Sequence, residues 1–108
     1  DRSMRLMWTD GALSDWNGIA QYIAVNFGKK AFDDYDKATD EAEVQIRENP
    51  GSGSPLRTRK YPHLGLKFVL VGKLSKMIYH IDGDQVIVDV IWDTRQSPKR
   101  LTQRLSKI

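Results

Sequence analysis

The side chains of this chain best suited to chemistry are cations, and they gather in its second half. Arg57, Arg59 and Lys60 form a basic run, Lys67 follows, Arg95 stands near the end of an apolar segment, and Lys99 and Arg100 open the tail. A guanidinium is a planar fork that matches phosphate or carboxylate, whereas an ammonium acts as a point charge. Groups able to move a proton are fewer: Tyr61, His63, Tyr79 and His80. His63 lies in Tyr61-Pro-His-Leu-Gly65, a loop where an accessible imidazole would titrate near neutrality; a plain surface histidine is the alternative. Tyr79 shares strand parity with Met77 and Ile81, so a core-facing tyrosine competes with a catalytic one. Other chemistries drop out. The chain has no Cys and no Gly-x-Ser-x-Gly. Its two histidines stand far apart for a zinc pair. Asp33, Asp34, Asp36, Asp40, Glu41 and Glu43 have no calcium-loop pattern and read as a solvated helix exterior or an acidic recognition face. Gly51-Ser-Gly53 lacks the Lys-Ser/Thr of a phosphate loop. Neither a metal nor a cofactor is expected.

Charge is distributed unevenly. Residues 1–50 carry 6 basic and 10 acidic side chains, residues 51–108 carry 11 and 4, so a net of −4 faces a net of +7. The basic half has the footprint of something that approaches phosphates or an acidic protein, a solubilising surface being the alternative. The 108 residues suffice for one modest core, and 40% hydrophobic with 29% charged content is ordinary for a globular chain. No apolar run approaches the ~20 residues of a membrane span, the N-terminus lacks a signal-peptide layout, and a Cys-free chain fits a reducing cytosol. A cytoplasmic protein is expected. Asp1-Arg2-Ser3 ahead of Met4 reads as a non-native remnant, leaving a single domain over 4–108.

The elements that must position these residues follow from periodicity. Arg5–Trp8 is a short strand, and Thr9 or Asp10 can cap the helix behind it. Leu13, Trp16, Ala20, Ile23 and Phe27 recur at helical spacing as one apolar face, ended by Gly28. A second helix over Lys29–Glu48 carries the stripe Ala31, Tyr35, Ala38, Ala42, Ile46, whose small residues permit a close antiparallel hairpin. Asn49-Pro50 breaks it, and Gly51–Pro55 reads as a flexible connector. Three strands follow: Leu66–Val71, Met77–Ile81 and Val86–Trp92. A longer loop, Gly72–Lys76, joins the first two. Asp82-Gly83 predicts a tight primed turn with positive φ at both central residues. In the last strand Val88, Val90 and Trp92 alternate with Asp89 and Ile91. Ser97-Pro98 stops it, because proline has no N–H for a ladder, so Arg95 is presented at a strand's end. Pro98–Leu105 is a short basic tail helix.

This order, with the local stretches Ala12–Tyr22, Glu48–Gly53, Lys76–Gly83 and Ile91–Pro98, resembles the RelE/ParE superfamily of bacterial type II toxins. The resemblance covers nearly the whole chain from Met4. It implies an α+β fold: an N-terminal strand and an antiparallel helical hairpin packed on a small, mainly antiparallel sheet, with a short basic C-terminal tail. It also implies a growth-inhibiting toxin neutralised by a cognate antitoxin. RelE-like members cleave mRNA on the ribosome and ParE-like members poison DNA gyrase. As a nuclease the chain would need a base, a phosphate-stabilising cation and an acid, and Arg95, Arg59, His63 and Tyr79 are the candidates. For binding a target or phosphate, Arg57, Arg59, Lys60, Lys67, Arg95, Lys99 and Arg100 are the candidates. Arg95 matches the family's terminal-strand arginine, with pairing to Asp93 or a helix acid as its alternative role. The active nucleases often place a His or Tyr near the C-terminus, and Gln96–Ile108 has neither. ParE-like binding inhibition is therefore preferred, with the ribosome-dependent nuclease and an inactive antitoxin-binding member as alternatives, and catalysis is left open. Trp8, Trp16, Phe32 and Trp92 are candidate anchors for an antitoxin segment, or else core.

Overall fold

The computed structural model of the protein describes residues 4–57 and 65–108. Strand β1 (Arg5–Trp8) leads into helices α1 (Asp10–Phe27) and α2 (Lys29–Glu48). A 3-10 turn (Pro50–Ser52) and the two-residue β2 (Ser54–Pro55) precede β3 (Lys67–Val71), β4 (Ser75–Asp82), β5 (Gln85–Asp93) and α3 (Pro98–Leu105). The five strands form one sheet in the order β1-β5-β4-β3-β2, antiparallel except for the β1–β5 pair. The expected α+β layout is the observed one. Among the described residues no helix is long and apolar enough to cross a membrane.

The helical hairpin packs on one face of the sheet. Thr9 caps α1 by accepting from the Ala12 N–H. Gly28 alone (φ 88°) joins the two helices, a backbone conformation that costs a β-carbon-bearing residue more. The buried face of α1 is Ala12, Ala20 and Ile23, with Trp16 and Ile19 packed beside them. This corrects the expected face: Leu13 and Phe27 are 48% and 61% exposed. Phe27 sits on the last turn, and Leu13 falls one residue round from Ala12. Helix α2 turns Tyr35, Thr39, Ala42 and Ile46 inward. Trp16 stacks on Tyr35 and donates to Thr39 Oγ1 at 2.9 Å, and Trp8 donates to Glu43 at 2.8 Å. The proposed anchors Trp8, Trp16 and Phe32 thus pack against the core, as the alternative reading had it.

Three local expectations change. The segment Gly51–Pro55 is no flexible connector: Gly53 is buried and donates its N–H to the Tyr79 hydroxyl at 3.1 Å. A Cβ there would stand 2.3 Å from that oxygen, so only glycine fits. The β4–β5 turn has positive φ at Gly83 alone (62°), with Asp82 paired to Gln85. Its central pair is therefore Gly83-Asp84, the pattern with glycine first. Third, the even alternation read in β5 is interrupted. Tyr79 pairs with Val88 but Ile78 with Val90, so Asp89 is an extra residue, a β-bulge. Val86, Val88 and Ile91 thereby join the core under the helices, while Val90 and Trp92 join a second cluster on the opposite face with Leu66, Ile78 and Leu105.

Candidate binding trough

The face of the sheet away from the helical hairpin carries the site. Strand parity places Phe68, Lys76, Ile78, Val90 and Trp92 there through the pairs Phe68–Ile78, Lys76–Trp92 and Ile78–Val90. Helix α3 lies across one side of it, with Leu101 and Leu105 packed into the second cluster. Ser97 starts α3 by accepting from the Arg100 N–H at 3.3 Å, and Pro98 occupies the first turn, where a missing N–H costs nothing. Two hollows, of about 710 and 370 Å³, meet at Trp92 and Gln96. Arg57 and Lys76 line the first, Arg100, Arg104 and Lys107 the second, and no described carboxylate lines either. Leu56, Phe68, Pro98 and Leu101 supply an apolar floor. Lys76 Nζ rests 4.3 Å from the centre of the Phe68 ring.

Helix α3 is clasped round the open edge of β5. β1 pairs only with Gln85–Val88, so among the described residues the strand beyond the bulge has no paired strand on that side. Side chains satisfy it instead, as a sheet edge requires. The Ile91 N–H donates to Asp15 Oδ2 at 3.2 Å, and the Asp89 carbonyl accepts from Thr9 Oγ1 at 3.2 Å and Arg104 Nη2 at 3.3 Å. Arg104 also pairs with Asp15 at 3.0 Å. Neither Asp15 nor Arg104 was singled out for this role from sequence.

The candidate residues divide. Arg57 and Arg100 line the trough; Lys99 lies exposed on α3 without lining it. Lys67 pairs with Tyr79 and so belongs to the helix side of the sheet. Arg95 stands elsewhere, at the end of β5 against α1. Its Nε and Nη2 grip both oxygens of Asp93 at 3.0 and 2.7 Å, Nη1 donates to the Tyr22 hydroxyl at 3.3 Å, and the guanidinium lies 4.7 Å from the Tyr22 ring centre. This is the structural pairing set out above as its alternative role. The fork holds the Asp93 carboxyl below the usual carboxylate range.

Tyr79 is fully buried, donates to the Pro50 carbonyl at 2.6 Å, and is pushed by burial above the ordinary phenol pKa. It ties the 3-10 turn to the sheet and does not reach the trough. His80 contacts the 5%-exposed Asp89 at 2.5 Å beside Leu66 and Ile108, away from the trough lining. Burial pushes the Asp89 carboxyl up, and the His80 contact opposes this. Arg59, Lys60, Tyr61 and His63 lie outside the described residues. Lys76 and Lys107 were missed. The parity Lys76, Ile78, His80 was available as a signal for the first, but the strand was begun one residue too late to use it.

A family model described as the ParE toxin of the type II toxin–antitoxin system parDE matches residues 6–98. The chain belongs to the ParE toxin family. The toxin also shares its fold with a chain of the chromosomal ParDE system from P. aeruginosa, at TM-score 0.68 and 18% identity over 86% of this chain and 98% of that one. A YoeB/ParE toxin from Agrobacterium tumefaciens matches at TM-score 0.56 and 14% identity, over 83% and 98%. No curated protein matches it by sequence. The chain is thus a type II toxin, and the system implies an antitoxin as partner. The family match stops at the first residue of α3, so the wall carrying Arg100, Arg104 and Lys107 lies beyond it.

Proposed function

We propose that this toxin arrests bacterial growth by binding a macromolecular target in the cytoplasm, with DNA gyrase the first candidate, and that a cognate antitoxin neutralises it. One observation carries the preference for binding over cleavage. Among the described residues, the trough has cations and no imidazole or phenol beside them. Stabilising a phosphate without a positioned base or acid gives affinity and little rate. Tyr79 is spent on backbone partners and His80 on Asp89. The RelE-like alternative would need Arg59 or His63 from outside the described residues.

The test is brief induction of the toxin in bacteria, followed by primer extension on translated mRNAs and a supercoiling assay with purified gyrase. Growth arrest with intact mRNA and inhibited supercoiling is expected, and co-expressed antitoxin should relieve it. Cuts at codon-related positions would replace this reading with the ribosome-dependent nuclease. Normal growth would leave a scaffold that retains antitoxin binding alone.

A further inference from the structure

We propose that the toxin grips its target through a socket near the tip of the helical hairpin, which receives one apolar side chain of a target protein, flanked there by a carboxylate. This rests on the reading that the toxin acts by binding a macromolecule, and adds the surface that does so. The socket is a hollow of about 410 Å³ between α2 and the β3–β4 turn, and it shares no lining residue with the trough. Small residues keep it open. Ala31 and Ala38 on α2 stand across from Gly72, where an added Cβ would come within 3.9 Å of the Ala38 Cβ. Phe27 lines the hollow and is still largely exposed. Its ring meets Tyr22 edge-on at 6.1 Å, and Arg95 lies over the Tyr22 ring, so the surface continues from the socket to the end of β5. Asp93 already matches the Arg95 charge, so a partner can cover this edge without stranding a charge. Exposed aromatic rings beside an apolar hollow are what an anchor residue of a partner needs.

Charge decides among the possible occupants. Lys73 stands exposed on the rim and pairs with no described residue. The rim carboxylate Asp34 is held by Lys30 at 3.2 Å, and Asp93 by Arg95. A second copy of this chain, laid on the same surface, would bring Lys73 to carboxylates already taken. A nucleic acid or an anionic membrane needs a surplus of cations. The adjoining turns of α2 have none, since residues 29–37 hold three lysines and three aspartates. A protein that presents Leu, Met or Phe beside Asp or Glu satisfies both the hollow and Lys73.

Inhibition of supercoiling by purified gyrase, titrated with the full-length toxin, tests this on three variants and a control. Phe27→Gln removes the lip, Ala38→Leu fills the hollow and Lys73→Glu reverses the rim charge. The control, Val25→Gln, changes an equally exposed apolar residue of α1 that lies two positions from Phe27 and so on another face. Each variant should raise the half-inhibitory concentration at least about tenfold, with the melting temperature and the antitoxin affinity of the wild type retained. The control should inhibit as wild type. Undiminished inhibition by all three variants overturns the socket and leaves gyrase as the target. Undiminished inhibition with weakened antitoxin binding reassigns the surface to the antitoxin. A wild-type dimer that Phe27→Gln makes monomeric, with inhibition unmoved, reassigns it to a second copy. If the wild type arrests growth without touching gyrase, the gyrase reading fails separately, and the variants are then scored by growth arrest: lost arrest supports the socket and undiminished arrest overturns it. A wild type that arrests nothing removes the target-binding reading and the socket with it.

Discussion

Arg95 and Tyr79 show how differently two candidate residues can be resolved. Arg95 sits where Ser97-Pro98 said it would, at a strand's end, and its partner Asp93 is only two residues away. Tyr22, 73 residues distant, was beyond any sequence argument. The Arg95 fork lowers the Asp93 pKa from 3.8. A carboxyl whose folded pKa is depressed contributes stability above its unfolded pKa and loses it as pH falls through the folded value. The wild type should therefore lose more stability than Arg95→Gln as the pH falls below about 4. Acid melts of the two proteins check this, and parallel curves would refute it. Asp89, whose pKa moves the other way, is common to both proteins and cancels in the difference. Tyr79→Phe strands the Gly53 N–H and the Pro50 carbonyl in the interior. It should cost about 1–3 kcal/mol in urea unfolding. It should not change growth arrest per folded molecule, whereas a catalytic Tyr79 would abolish arrest without loss of stability.

The helices and long strands were legible because each repeats its period several times and ends at Gly28, Asn49-Pro50 or Ser97-Pro98. What escaped has no period. β2 is two residues long and contains a proline, so nothing marks it as a strand. The bulge at Asp89 hides because Val-Asp-Val-Ile-Trp alternates acceptably on either count. Only the cross-strand register shows that one residue is extra. The clasp has a different cause: β1 pairs β5 no further than Val88, which leaves backbone groups on that edge for Asp15, Thr9 and Arg104 to satisfy. Arg104→Ala removes hydrogen bonds from a charged, part-buried group (20% exposed) to Asp15 and the Asp89 carbonyl. The expected loss is about 1.5–3 kcal/mol. The more telling measurement is local. Amide exchange should accelerate over Pro98–Leu105 while α1 and α2 stay protected, since partial opening follows cooperative units. Uniform acceleration would mean α3 is not separately held.

At the scale of the whole molecule, the acidic helices α1 and α2 pack on one face of the sheet and the basic trough lies on the other. The sequence showed the asymmetry, but only the β3–β4–β5 register shows that Lys76 shares a face with Trp92 and the wall of α3. Such a layout leaves like charges close together in the free toxin, a self-repulsion that a complementary partner relieves. A ligand that binds only the folded state stabilises it by roughly 4 kcal/mol when present at a thousand times its Kd. The toxin–antitoxin complex should accordingly melt well above the free toxin. If charge carries part of that affinity, the gain must shrink when salt shortens the screening length from about 8 Å at physiological strength to about 3 Å at 1 M. Calorimetry of free and bound toxin at both strengths separates the two contributions. The apolar floor accounts for whatever increment survives in high salt, and the trough cations for whatever is lost. An increment unmoved by salt would assign the affinity to the floor alone.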